Sequence, residues 1–258
     1  TLLGASGYEI EPDTLTSEIF LPARKGSLQP EIVAAARQRG FVVYPIQPTM
    51  PDLLDQLDAG HPVLILQNQG LDSLPVWHYA VVIGADPQDN VLISRSGTKR
   101  RLLESSQHFQ RRWALAENWG IVLLTPGKLP ANPHWPHYLA AVADLEASGQ
   151  LAAAAAGYAA ALKADPDLPA AHFGLANVAY ATGDHRAAIT HYQALAADPD
   201  LGSLALNNLS NLWLDLGCAD QAQTALDSAL VNGTHPAFDA TRQRLKQAAD
   251  AGIFCNAP

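Results

Sequence analysis

The sequence predicts an α+β domain followed by an all-α array of helical hairpins, and three observations carry that reading. Over the first half of the chain, short apolar runs alternate with amphipathic stretches, helices coming first and strands after. Four prolines then crowd "TPGKLPANPHWPH", Thr125 to His137, where neither helix nor strand continues unbroken. Beyond them an Ala-rich, helix-favouring segment repeats with a period of 34 residues.

The elements of the first part follow in order. "LQPEIVAAARQRG" has the periodicity of a helix closed by Gly40, and "FVVYPI" reads as the strand after it. "MPDLLDQLDAG" is a helix begun after Thr49 and stopped at Gly60. The strands "PVLILQN", "HYAVVIG" and "VLISRS" come next, the last two joined as a hairpin by the turn-prone "ADPQDN". A short amphipathic helix around "LESSQHFQRRWA" and a strand "WGIVLLTP" complete an antiparallel sheet with helices segregated from it.

In the second part Gly149, Gly183 and Gly217 are spaced by 34 residues, as are Ala154, Ala188 and Ala222, while Tyr158, Tyr192 and Leu226 keep the same register. "SGQLAAAAAGYAAALKADPDLP" has a turn glycine, a small alanine, an aromatic, a second alanine (Ala161) and a terminal Pro166 in that order, and so resembles a tetratricopeptide repeat. The small residues let two helices approach, and the aromatic fills the groove beside them. Pro199 comes one residue early in the second repeat, which predicts a shortened closing turn. The final helix, "AFDATRQRLKQAAD", is polar enough to cap the stack. The expected organisation is residues 1–126 as the first domain, 127–136 as a proline-rich linker, and 137–254 as three repeats with a capping helix.

Composition narrows the function. A net charge of -9 and a pI near 5.3 argue against a nucleic-acid surface. No apolar run reaches the roughly 20 residues that span a bilayer, and no phosphate loop, dinucleotide fingerprint or zinc-helix motif occurs. No cofactor or metal is expected. "HWPH" at 134–137 pairs two histidines on a proline-rich stretch without rigid ligand geometry, and the basic "TKRR" at 98–101 reads as a solvated face. The two cysteines, Cys218 and Cys255, fit either a disulfide at the C-terminal end or two separate thiols. Thr1 in the first position fits removal of an upstream segment, and with a disulfide it fits export to a bacterial periplasm, free or lipid-anchored.

The order "TLLGASGYEI", "GSLQPEIVAAARQRGF", "DLLDQLDAGHPVLIL" and "WHYAVVIGADPQDNVLIS" resembles the papain-like bacteriocin-processing (double-glycine-leader) cysteine peptidases over about the first 125 residues. The resemblance implies a papain-like α+β domain acting on polypeptides. His78, in the His-Tyr pair, matches the family's catalytic histidine, and "TLLGASGYEI" matches the tail of the helix that a Cys motif opens. That implies a nucleophilic Cys and an oxyanion Gln upstream of Thr1; residues 1–125 contain no cysteine. The family's Asp falls sixteen positions after the His, where this chain has Ser94. Asp86 lies about 26 Å along an extended strand from His78 and belongs to the turn. Ser94, or Ser96 nearby, is expected to orient the imidazole from the returning strand. Two functions fit these residues: a cysteine peptidase using a Cys-His dyad with neutral help, or a non-catalytic adaptor that has kept the fold and binds extended peptide.

A stack of helical hairpins makes an extended concave groove suited to a peptide or protein partner. Asn177 and Asn211 hold equivalent positions on successive first helices, Asn207 lies one turn before Asn211, and Phe173 one turn before Asn177. All four are expected to face that groove, the amides pairing with peptide backbone and Phe173 supplying an apolar contact.

Overall fold

The computed structural model describes residues 2–24, 26–232, 235–251 and 255. The chain divides into two compact units, Thr1–Ala153 and Ala154–Pro258. The boundary therefore falls after residue 153 rather than in the proline-rich stretch 127–136. The reason is a helix beyond the prolines that packs back on the sheet, described below.

The first unit opens with α1 (Leu2–Ala5), α2 (Pro12–Ile19) and α3 (Gln29–Arg37). Gly40, at φ 78°, turns the chain from α3 into β1 (Val42–Pro45), a conformation that favours glycine. Then come α4 (Met50–Asp58), β2 (Val63–Asn68), β3 (Trp77–Asp86), β4 (Val91–Ser96), β5 (Lys99–Ser105), α5 (Ser106–Ala114) and β6 (Gly120–Leu124). Thr49 caps α4 through the Asp52 N–H, 3.4 Å from its hydroxyl, at the start expected from the sequence. The strands form one antiparallel sheet in the order β1-β6-β2-β3-β4-β5.

One strand differs from the sequence reading. "KRRLLES" forms β5, and α5 begins only at Ser106, with Ser105 as its cap. The run of three cations at 99–101 hides a strand whose side chains have no apolar alternation; pairing with β4, not local preference, makes it extended.

Alternation along the strands gives the sheet two faces. On one, Val43, Leu64 and Ile121 pack with Leu3, Ala36 and Phe41, and Tyr79 and Val81 lie against the same cluster. On the other, α4 and α5 cover Ile65, Val82 and Leu92 with the buried Leu53, Phe109 and Trp113. The helix beyond the prolines, α6 (Trp135–Ala147), packs on β1. It is fastened there: Tyr44 accepts from the His134 N–H at 3.2 Å, Gln47 bonds His137 at 3.3 Å, and Arg37 pairs with Asp144.

Beyond the boundary, which falls inside α7 (Leu151–Ala164), the chain continues as α8 (Pro169–Thr182), α9 (His185–Ala194), α10 (Gly202–Asp215), α11 (Ala219–Asn232) and α12 (Ala237–Ala251). Gly149, Gly183 and Gly217 all adopt positive φ, 80°, 82° and 75°, so the 34-residue period is a period of helix endings. Ala188, Tyr192, Ala222 and Leu226 share one core, and α12 closes it against α10 and α11. The early Pro199 does not shorten the closing turn: α9 already stops at Ala194 and α10 starts at Gly202, so the connection 195–201 is longer than 165–168 between α7 and α8. Gly174 has its own reason: a Cβ there would enter the ring of Tyr158. Cys218 and Cys255 form a disulfide across a separation of 37 residues.

Candidate functional site

His78 is the second residue of β3 and sits opposite Gln67 of β2. Its Nε2 lies 2.7 Å from the Ser96 hydroxyl, and among the described residues its Nδ1 has no hydrogen-bond partner. Burial of the ring, and then the Arg112 guanidinium, hold the imidazole below its ordinary pKa. The ring is therefore neutral near pH 7, and its unbonded nitrogen can accept a proton.

The orienting hydroxyl belongs to Ser96 and not to Ser94, the residue implied by the sixteen-residue spacing. Ser94 is buried across from Val82, two same-face steps along β3 from His78. Val81 pairs with Arg95, so the stretch of the returning strand that approaches His78 lies beyond Ser94, and the hydroxyl that reaches the ring comes two residues later. Asp86 stays in the hairpin turn, where it accepts the N–H groups of Gln88 and Asp89 at 3.0 and 3.2 Å.

A polar cluster surrounds the ring, and sequence reasoning missed it. Gln67 is buried and donates to Glu104 at 3.4 Å; Glu104 in turn accepts from Arg112 at 3.0 Å and lies 3.5 Å from His108. The available signal was the polar Gln67-Asn68 pair ending an otherwise apolar strand, which antiparallel pairing sets beside His78. Asn68 shapes the neighbouring loop: its Oδ1 accepts the N–H groups of Gly70 and Val76, each at 2.9 Å, and its amide donates to the Leu71 carbonyl at 3.2 Å. That loop and the start of β3 expose Leu71, Leu74, Val76 and Trp77, between 54% and 72% of each side. A cleft of 560 Å³ next to Trp77 is lined further by Leu66, Tyr79, Leu115 and Trp119.

The side of the sheet matters. Tyr79 and Val81 face the cluster that holds Leu3 of α1, so His78 projects from the opposite face, toward Arg112 of α5. The resemblance implies a ring facing the helix that the Cys motif opens, whereas this alternation sets the ring on the face of the sheet opposite α1. The face beneath α1 instead holds an apolar cavity of 820 Å³ lined by Leu3, Tyr8, Ile32, Leu64, Tyr79 and Ile121.

In the second unit a groove of 460 Å³ is lined by Asn177, Tyr180, Asn208, Asn211 and Arg244. Asn177 accepts from the Tyr192 hydroxyl at 2.7 Å and from Asn208 at 3.3 Å; Asn211 donates to Thr241 at 2.9 Å and accepts from Arg244 at 2.6 Å. Tyr180 donates to Asp215, which also pairs with Arg244; burial first, and then this carboxylate, push the Tyr180 hydroxyl well above its ordinary pKa. Two of the four expected groove residues lie elsewhere. Asn207 is buried, its Oδ1 accepting from Thr241 at 2.8 Å, because α12 lies over that turn of α10. Phe173 packs edge-on against Tyr192, ring centres 6.2 Å apart, within the core contacts. Asn208 and Arg244 were not singled out from the sequence, since the first breaks the 34-residue register and the second comes from the cap. Among the described residues no group of three or more His, Cys, Asp or Glu could hold a metal.

A comparison with protein-family models finds no match, and a comparison with curated proteins finds none at a significant level.

Proposed function

We propose that the first unit is a papain-like cysteine-peptidase-type domain acting on or binding polypeptides, and that the second is a tetratricopeptide array that recruits a protein or peptide partner. The observation that carries the reading is the half-used ring of His78: Nε2 is held by Ser96 while Nδ1 has no hydrogen-bond partner among the described residues. In this chemistry Nδ1 takes the proton of a thiol, the thiolate attacks a peptide carbonyl, and the imidazolium returns the proton to the departing amine. Water then releases the acyl group from the sulfur. Cys218 and Cys255 are bonded to each other and supply no thiol, so the reading takes its nucleophile from the cysteine that the family resemblance sets ahead of α1. The exposed Leu71, Leu74, Val76 and Trp77, on the loop before β3 and at its start, offer a polypeptide apolar purchase at this end of the sheet. The disulfide supports residence in an oxidising compartment, the periplasm or an outer lipid-anchored location. Among the described residues no helix is long and apolar enough to cross a membrane.

The second reading, a non-catalytic adaptor, is favoured by one observation: His78 and α1 lie on opposite faces of the sheet. A peptidyl epoxide, which alkylates an activated thiol, separates the two on the complete polypeptide. A peptidase is labelled near its N-terminus, loses labelling in His78→Ala, and keeps a reduced rate in Ser96→Ala. An adaptor shows no added mass with any of the three proteins.

A further inference from the structure

We infer that β5 is an acceptor edge for an extended acidic segment of another polypeptide, added to the sheet as a further strand. β5 ends the strand order and pairs only with β4, so along its outer edge the backbone groups have no partner among the described residues. Such an edge is a template for strand addition, in which main-chain hydrogen bonds give affinity and alternate side chains give selectivity.

The side chains say which strand. Six of the sixteen Lys and Arg residues, against one carboxylate, fall between Arg95 and Arg112, in a chain whose net charge is -9. The single carboxylate, Glu104, is already engaged by Arg112. Arg95, Lys99, Arg100 and Arg101 are exposed and take part in no ion pair among the described residues. Leu103, opposite Ile93, is 55% exposed and adds an apolar position to the same edge. Like charge repels a second copy of β5, and the unpaired cations attract carboxylates, so the edge excludes self-pairing and selects an acidic strand. The edge also runs from the His78 site: Lys99 pairs with Ser96, the residue bonded to the imidazole. Binding along β5 requires no hydrolysis, so the inference stands apart from the peptidase reading.

The test uses a fluorescent peptide alternating Glu and Val, and a control alternating Lys and Val, on the whole protein. The Glu peptide is expected to bind, to weaken as salt rises, and to weaken about tenfold in the doubly reversed Lys99→Glu, Arg101→Glu protein. Hydrogen exchange read in parallel on the unaltered protein should show the β5 amides slowed by the peptide. Equal binding of the Lys peptide overturns the inference, as does binding of the Glu peptide that leaves β5 exchange unchanged. Association with phosphatidylserine vesicles in the absence of peptide binding overturns it too, by making the cations a lipid surface. Because the exchange readout needs no substitution, a variant that fails to fold leaves the test intact.

Discussion

The sheet unit and the helical unit both bury polar side chains, and they use them differently. In the helical unit the buried Asn207, Ser210 and Thr241 are bonded to neighbours on adjoining elements, Ser210 donating to the Ala222 carbonyl at 2.7 Å. They fasten one helix to the next. In the sheet unit Gln67 and Glu104 are engaged as well, but Gln67 lies opposite a histidine with one nitrogen unbonded among the described residues. The lesson is that a polar residue at a surface-like sequence position marks function only when part of its bonding capacity is left over. By that measure Asn177 and Asn211, each already bonded within the unit, are weaker binding candidates than their repeat positions suggest.

The largest expected effect tests whether the helical unit is stabilised independently of the sheet. Replacing Cys218 and Cys255 together by Ser opens a cross-link spanning 37 residues, and the chain-entropy account gives a loss of about 4 kcal/mol. Urea unfolding should show that loss in the helical transition alone; a shift shared with the sheet unit would break the comparison. Gly174→Val comes next. Its Cβ meets the Tyr158 ring, and overpacking of that kind costs about 3 kcal/mol, again measurable by urea unfolding.

Thr241→Val sharpens the contrast between tied and open groups. It keeps the volume but leaves buried Asn207 without its 2.8 Å donor and Asn211 without its acceptor, a loss of about 2 kcal/mol in thermal unfolding. Arg112→Met in the sheet unit should raise the pKa of His78, seen by NMR titration of the ring, because it removes the nearby positive charge while burial still holds the ring below its ordinary value. An unmoved or lowered value would show that the guanidinium does not act on the imidazole.

The smallest effect is on acid stability. Burial lowers the pKa of His61, His78 and His191, the last also through the charge of His172 at 3.0 Å. The unfolded chain then binds protons more readily than the folded one, so stability is full above the ordinary value of 6.5 and is lost as pH falls through the lower folded values. His191→Gln should flatten that loss in the helical transition between pH 6.5 and acid, and an unchanged slope would assign the effect to the other two rings.

Much of the fold was legible in the sequence. The β3–β4 hairpin, α4 with its Thr49 cap and the glycine-terminated helices all rest on short-range chemistry: apolar period, a capping hydroxyl, and positive φ at glycine. β5 was not legible, because a strand held by its neighbour needs no apolar alternation of its own. The domain boundary was displaced for a similar reason: prolines at 126–136 interrupt secondary structure, but α6 still reaches β1 through Tyr44, Gln47 and Arg37. Of the candidate sites, His78 was found by its motif, while Ser96, Glu104 and Arg112 come to it from three other elements.

By itself the sequence determined where helices stop, where the hairpin turns and that the second part repeats every 34 residues, since each of these depends on residues within a few positions of one another. Only the tertiary structure decided which hydroxyl holds the imidazole, which face of the sheet it occupies, and which asparagines are spent inside the helical stack. Strand pairing sets Ser94 across from Val82 and leaves Ser96 to reach the ring, and α12 buries one asparagine while leaving its neighbour at the groove; those are contacts between distant segments, which no local pattern encodes.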